Sequence, residues 1–142
     1  MKTRILVKEG EYRLAKAYCM DAKIDAQELF CFLTGMDKVQ LFLKAEEEVD
    51  PETEEKYMEL IAKRAQRIPL QHITGVQEFM GHTFKVSPDV LIPRQDTETL
   101  VTEAAKVIQE TPREKLSFLE KLKGSKEWEV LDLCCGSGAI GI

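Results

Sequence analysis

The sequence predicts a mainly α-helical chain: an N-terminal helical bundle, a β-hairpin connector and the start of an α/β domain. Three observations carry that prediction. Residues 1–75 place cap residues ahead of apolar stripes at helical spacing. At "VQEFMGHTFKV" the pattern changes to two short strand-like runs around a glycine. The closing stretch, "VLDLCCGSGAIGI", reads as a buried strand, a glycine-rich turn and the first turn of a helix.

The elements follow in order. The first helix is expected from Thr3 to Cys19, with Leu14, Ala15, Tyr18 and Cys19 on its apolar stripe. Asp25 and Glu28 read as an N-cap and its partner three residues on, ahead of Leu29, Phe30 and Leu33. Gly35 stands where a helix should stop. Asp37 with Gln40 repeats the cap pattern before Leu41 and Phe42. Asp50-Pro51 sets a cap before a proline in the first helical position, and Tyr57, Leu60, Ile61 and Ala65 follow at helical spacing. Pro69 ends that helix near Arg67 or Ile68, because the residue before a proline is driven out of helical angles. "PLQHITG" predicts one more short turn of helix, closed by Gly75.

In the hairpin, Gly81-His82 is expected to form a two-residue type II′ turn, and Pro88 breaks the second strand. A proline loop then leads to a helix capped by Asp96. Glu98 favours the positive end of its dipole, and Leu100, Val101, Ala104 and Ile108 form one face. Thr111-Pro112-Arg113-Glu114 starts a further helix running toward Gly124, and "KEWEVLDL" is the next strand.

Composition narrows the function class. The chain is 44% hydrophobic and 32% charged, the balance of a globular chain. Its formal net charge of -5 argues against a surface that binds nucleic acid all over. No window approaches the roughly 18 apolar residues of a membrane span. The N-terminus becomes charged too early for a secretory leader. Cys19, Cys31, Cys134 and Cys135 form no CxxC pair, and His72 and His82 are not spaced with them, so no metal site is expected. A reduced, cytosolic protein is the expectation.

The chemistry lies in the closing motif. Asp132 sits in an apolar strand, where a carboxylate is costly unless it faces a ligand or is hydrogen-bonded. Gly136 and Gly138 permit a tight turn and close approach of a ligand, and a helix starting near Ala139 would aim its first amides there. "GSGAIG" also matches the dinucleotide pattern literally, which leaves a nicotinamide or flavin enzyme open. An acid ahead of a Cys-Cys-Gly-Ser-Gly loop resembles more closely the first motif of class I, Rossmann-like S-adenosylmethionine methyltransferases.

A second motif sharpens the resemblance. "VSPDVLIPRQDTETLV", with the upstream "RIPLQHITGVQEFMGHTFKV", closely resembles the HemK family, the glutamine N5-methyltransferases of peptide chain release factors. The resemblance covers nearly the whole chain. It implies a helical substrate-recognition domain at 1–75, a connector at 76–88 and the truncated start of a class I methyltransferase domain at 89–142. It implies S-adenosyl-L-methionine as cofactor, and as substrate the glutamine of the release factor's Gly-Gly-Gln motif. The expected partner is thus a release factor, with no membrane, no direct nucleic acid and a monomeric state. The family's Asn-Pro-Pro-Tyr signature is absent from this sequence. No catalytic residue is therefore assigned, and the chain is expected to be an inactive N-terminal fragment whose residues 127–142 lack sheet neighbours.

By the same resemblance, Asp132, Cys134, Cys135, Gly136, Ser137 and Gly138 would hold the cofactor. Arg94 and Thr97 of "PRQDTE" would close over the cofactor or the substrate tip. Two departures stand out: Cys134 replaces the family's first glycine, and Gln95 replaces its usual proline. Against Arg94 and Thr97 stands the plainer reading of a helix N-terminus with a solvated arginine. His72 reads as structural and His82 as an exposed turn residue. Lys63, Arg64 and Arg67 read as a solvated helix edge, or else as a contact for an acidic surface. The acidic run from Glu46 to Glu55 reads as solvated surface. Two rival functions remain at this point: a non-catalytic release-factor-binding module, and an N6-adenine nucleic-acid methyltransferase.

Overall fold

A computed structural model describes residues 1–110, 133 and 136–141. It is mainly helical with one two-stranded antiparallel hairpin, as the sequence predicts. The chain forms two compact units, Met1–Gly75 and Val76–Ile142.

The first unit contains α1 (Thr3–Lys16), α2 (Ala22–Thr34), α3 (Lys38–Leu43), α4 (Pro51–Ala65) and α5 (Leu70–Thr74). Its core joins Leu6, Val7 and Leu14 of α1 to Ala26, Leu29 and Phe30 of α2, Leu41 of α3, and Tyr57 and Ile61 of α4. The capping signals act largely as read. Asp37 and Gln40 form a reciprocal capping box. The Asp50 carboxylate accepts the Thr53 N–H at 2.9 Å, with Pro51 in the first turn. Gly35 and Gly75 end α2 and α5 in left-handed conformation.

Two expectations in this unit are corrected. α1 stops at Lys16, because Tyr18 turns the chain with φ 58°. Of the anticipated stripe, Leu14 alone is fully buried, and Tyr18 stands 83% exposed. The true buried face is Thr3, Leu6, Val7, Gly10 and Leu14. α2 begins three residues before the expected cap. Asp25 is therefore inside the helix, buried, and its carboxylate takes Nε of Arg64 at 2.7 Å.

α1 has no side-chain cap. Its first amides are satisfied by the α3–α4 linker: Thr3 N–H donates to the Glu47 carbonyl and Arg4 N–H to that of Ala45, both at 2.9 Å. This linker carries part of the acidic run to the positive end of the α1 dipole, where Glu46 also meets Lys2 and Arg4.

The second unit starts with β1 (Val76–Phe79) and β2 (His82–Lys85), paired so that Phe79 faces His82 and Gln77 faces Phe84. The turn is Met80-Gly81, not Gly81-His82. Both residues have positive φ, 51° and 76°, which makes it type I′ rather than type II′. His82 is consequently the first residue of β2 and is exposed. Helix α6 (Asp96–Glu110) follows, with Asp96 as its first residue rather than the cap ahead of it. The helix and strand expected between Thr111 and Leu133 lie outside the described residues, apart from Leu133 itself. So does most of the 127–142 segment.

Candidate functional site

Two segments of the second unit carry the anticipated site. The first is the loop from Ser87 into α6. Val90 N–H donates to the Ser87 carbonyl, and Asp89 N–H to the Ser87 hydroxyl, both at 3.3 Å. Thr97 N–H donates to the Arg94 carbonyl and Glu98 N–H to that of Gln95, both at 3.0 Å, winding the chain into α6. Arg94 is exposed and Thr97 half-buried. Arg94 makes no ion pair among the described residues.

The second segment is the glycine-rich loop. Gly136 and Gly138 both have positive φ, 55° and 76°, conformations that a residue with Cβ adopts at a cost. Among the described residues, no atom lies within 4 Å of where a Cβ on Gly138 would sit. Gly141 N–H donates to the Gly138 carbonyl at 3.2 Å, and residues 139–141 form a turn where the sequence predicts a helix start. Ser137 is half-buried. Asp132, Cys134 and Cys135 lie outside the described residues.

The hairpin ties these segments to one apolar cluster. Phe79 and Phe84 are diagonal neighbours on one face, edge to face at 6.2 Å. Ala139, next after Gly138, is buried with them, and Val101 of α6 packs alongside. Of the other residues expected on that face of α6, Ile108 is half-buried, whereas Leu100 and Ala104 are exposed.

Sequence reasoning missed the polar contact that fixes this arrangement. Glu98 Oε1 accepts the Met80 N–H at 2.9 Å, tying the first turn of α6 to the tip of the hairpin. The carboxylate satisfies an amide in a turn whose Met80 holds left-handed angles. A separation of 18 residues in sequence leaves no local signal for such a bond.

In the helical unit, the basic edge divides. Arg64 is structural: besides Asp25, it donates to the Ile68 carbonyl at 3.3 Å. Lys63 and Arg67 stay exposed. His72 is half-buried on α5, and its Nε2 is buried without a hydrogen-bond partner. The Cys31 thiol is pushed up by burial and then by the nearby Glu28 carboxylate, which disfavours the nucleophilic thiolate. Cys19 Sγ lies 3.7 Å from the Arg64 carbonyl, a structural position. Among the described residues, no three His, Cys, Asp or Glu side chains come together as a metal site, and no helix is long and apolar enough to cross a membrane.

Comparison with known proteins gives the geometry a context. Residues 6–75 match the family model described as PrmC N-terminal domain. The chain is 36% identical over 137 residues to the release factor glutamine methyltransferase of Clostridium botulinum, covering 96% of this chain and 44% of that protein. It is 34% identical to the Moorella thermoacetica enzyme of the same name, over all of this chain and 45% of that protein. Against the Koribacter versatilis enzyme the identity is 42% over 118 residues, 83% of this chain and 37% of the relative. The chain thus spans less than half the length of the curated relatives it matches. The Moorella thermoacetica match runs through the helical unit, the hairpin and the motif loops alike. Residues 6–75 thus match the PrmC N-terminal domain, and the chain as a whole is similar to release factor glutamine methyltransferases.

Proposed function

We propose that this chain is the N-terminal part of an S-adenosylmethionine-dependent methyltransferase acting on the glutamine amide of the release factor's Gly-Gly-Gln motif. In this reading, residues 1–75 recognise the release factor, 76–88 connect, and 89–142 begin the cofactor domain. The observation that carries it is the match along the whole of this chain to the Moorella thermoacetica protein, which joins the helical unit to the glycine-rich loop in one order.

The loop residues fit S-adenosylmethionine. Gly136 and Gly138 hold positive φ, and at Gly138 the described residues leave open space for a ligand against the backbone. Gly136, Ser137 and Gly138, with Asp132, Cys134 and Cys135, would hold its methionyl end, and Arg94 and Thr97 would close over it. The cofactor supplies an electrophilic methyl group on a sulfonium. An amide nitrogen is a weak nucleophile, since its lone pair is delocalised, so the protein's task is to align nitrogen, methyl and sulfur and to exclude water. This chain contributes the cofactor loop and the docking unit to that task. No residue described here is assigned to the proton or to the amide. Action without direct nucleic-acid contact fits the net charge of -5.

The test uses the complete reading frame of the parent gene. Incubated with methyl-labelled S-adenosylmethionine and a release factor, it should transfer label to the protein. In parallel arms it should leave DNA unlabelled and should not bind NAD. Label in adenine instead would replace this reading with the nucleic-acid methyltransferase. Release-factor binding without any label would replace it with the non-catalytic module.

A further inference from the structure

We propose that the groove between α1, α2 and α3 is where the helical unit docks an acidic, amphipathic segment of the release factor. The proposal rests on the reading above and adds the surface and the chemistry of contact. The groove has a volume of about 300 Å³. Val7 of α1 and Leu41 of α3 line it, each only 8% exposed, and Phe42 lines it while 80% exposed. A phenylalanine left so open beside an apolar floor is an anchor without a counterpart. Val39 and Leu43 add exposed apolar surface on the same short helix.

The charge around the groove runs against that of the chain. Arg4, Lys8, Lys23 and Lys38 line it, with Glu11 as the one acid among its described lining residues, although the chain carries a net charge of -5. Arg4 and Lys38 are already neutralised by Glu46 and Glu28, at 2.8 and 2.7 Å. Lys8 and Lys23 are exposed and make no ion pair among the described residues. They are two free cations beside an apolar floor. The complementary ligand presents an apolar side chain to Val7, Leu41 and Phe42 and carboxylates to Lys8 and Lys23.

A phosphate backbone would satisfy the lysines but leave the apolar floor unused. A second copy of this chain offers its acidic run, but Glu46, Glu47, Glu52 and Glu54 there are paired with cations of their own chain and Asp50 caps α4, which leaves Glu48 and Glu55 as the acids of that run without an ion pair among the described residues. An acidic protein segment satisfies both halves of the groove.

The experiment titrates the 142-residue chain with a purified release factor, alongside three variants checked for unchanged circular dichroism. Phe42→Ala should weaken binding about tenfold, the loss typical of a truncated anchor. Lys8→Glu with Lys23→Glu should weaken it about as much and flatten its salt dependence. Lys16→Glu, exposed at the end of α1 and outside the groove's lining, should leave affinity unchanged. Equal affinity across all variants overturns the groove and leaves the functional reading intact, whereas failure of the unaltered chain to bind overturns the docking role as well. Single-stranded RNA binding that Phe42→Ala abolishes, or a self-association that it abolishes, would give the groove to another occupant and also overturn the proposal.

Discussion

Gly10 of α1 lies buried against Tyr57 and Ile61 of α4, and replacing it with alanine tests the packing directly. A Cβ at Gly10 would overlap the Tyr57 hydroxyl and sit 3.0 Å from both Tyr57 Cζ and Ile61 Cδ1. The isoleucine tip can rotate away. The tyrosine cannot, because its ring is held edge-on by Phe30 at 5.4 Å and its hydroxyl donates to the Ala26 carbonyl at 3.0 Å. Relief requires breaking that buried bond or parting the two helices. Alanine gains about 1 kcal/mol of helix propensity over glycine. Overpacking costs about 1–3 kcal/mol, and a stranded buried hydroxyl about as much again. The net expectation is a loss of about 1–5 kcal/mol, read from urea unfolding followed by far-ultraviolet circular dichroism. With Tyr57→Phe in the background the offending oxygen is gone, and the cost of Gly10→Ala should fall by about 1–3 kcal/mol. A neutral or stabilising Gly10→Ala, or strict additivity with Tyr57→Phe, would refute the packing described here.

Other outcomes follow from the same structure. Burial raises the Tyr57 hydroxyl pKa well above its ordinary value of about 10, so the folded state favours the protonated form. That stability is complete below pH 10 and should fall by about 1.4 kcal/mol per pH unit above it, a slope that denaturation of Tyr57→Phe at matched pH should lack. Removing one partner of the Asp25–Arg64 pair strands a charge in a largely buried site. Asp25→Ala or Arg64→Met should each lower stability by about 2–4 kcal/mol, and the double replacement Asp25→Leu with Arg64→Met should recover much of it. Met80→Asn suits the type I′ turn better than methionine and should stabilise the hairpin by about 0.5–1 kcal/mol, measured by amide hydrogen exchange in β2.

The parts of the fold legible in the sequence are those decided by neighbours along the chain. Asp37 with Gln40, Asp50 with Pro51, and Gly35 and Gly75 act within four residues of themselves, and each marks its helix end correctly. The misreadings occurred where tertiary contacts override local chemistry. Asp25 has the residue type of a cap, yet Arg64, 39 positions away, draws it into the core. The start of α1 carries no capping side chain because a distant linker supplies the carbonyls. The hairpin turn shifted by one residue because Met80 tolerates left-handed angles when Glu98 takes its amide. Of the candidate site, the positive-φ glycines were legible as residue types. The groove was not, since Leu41 and Phe42 are neighbouring apolar residues and only the packing of the helices buries the first and leaves the second outside.

One measurement tests the central claim most directly. The full-length parent is expressed together with a release factor, and the peptide holding Gly-Gly-Gln is then sequenced by mass spectrometry. The account predicts one added methyl group on the side-chain amide of that glutamine, lost when Gly138 is replaced by valine to block the cofactor loop. An unmodified glutamine in the presence of abundant, folded parent protein would contradict it.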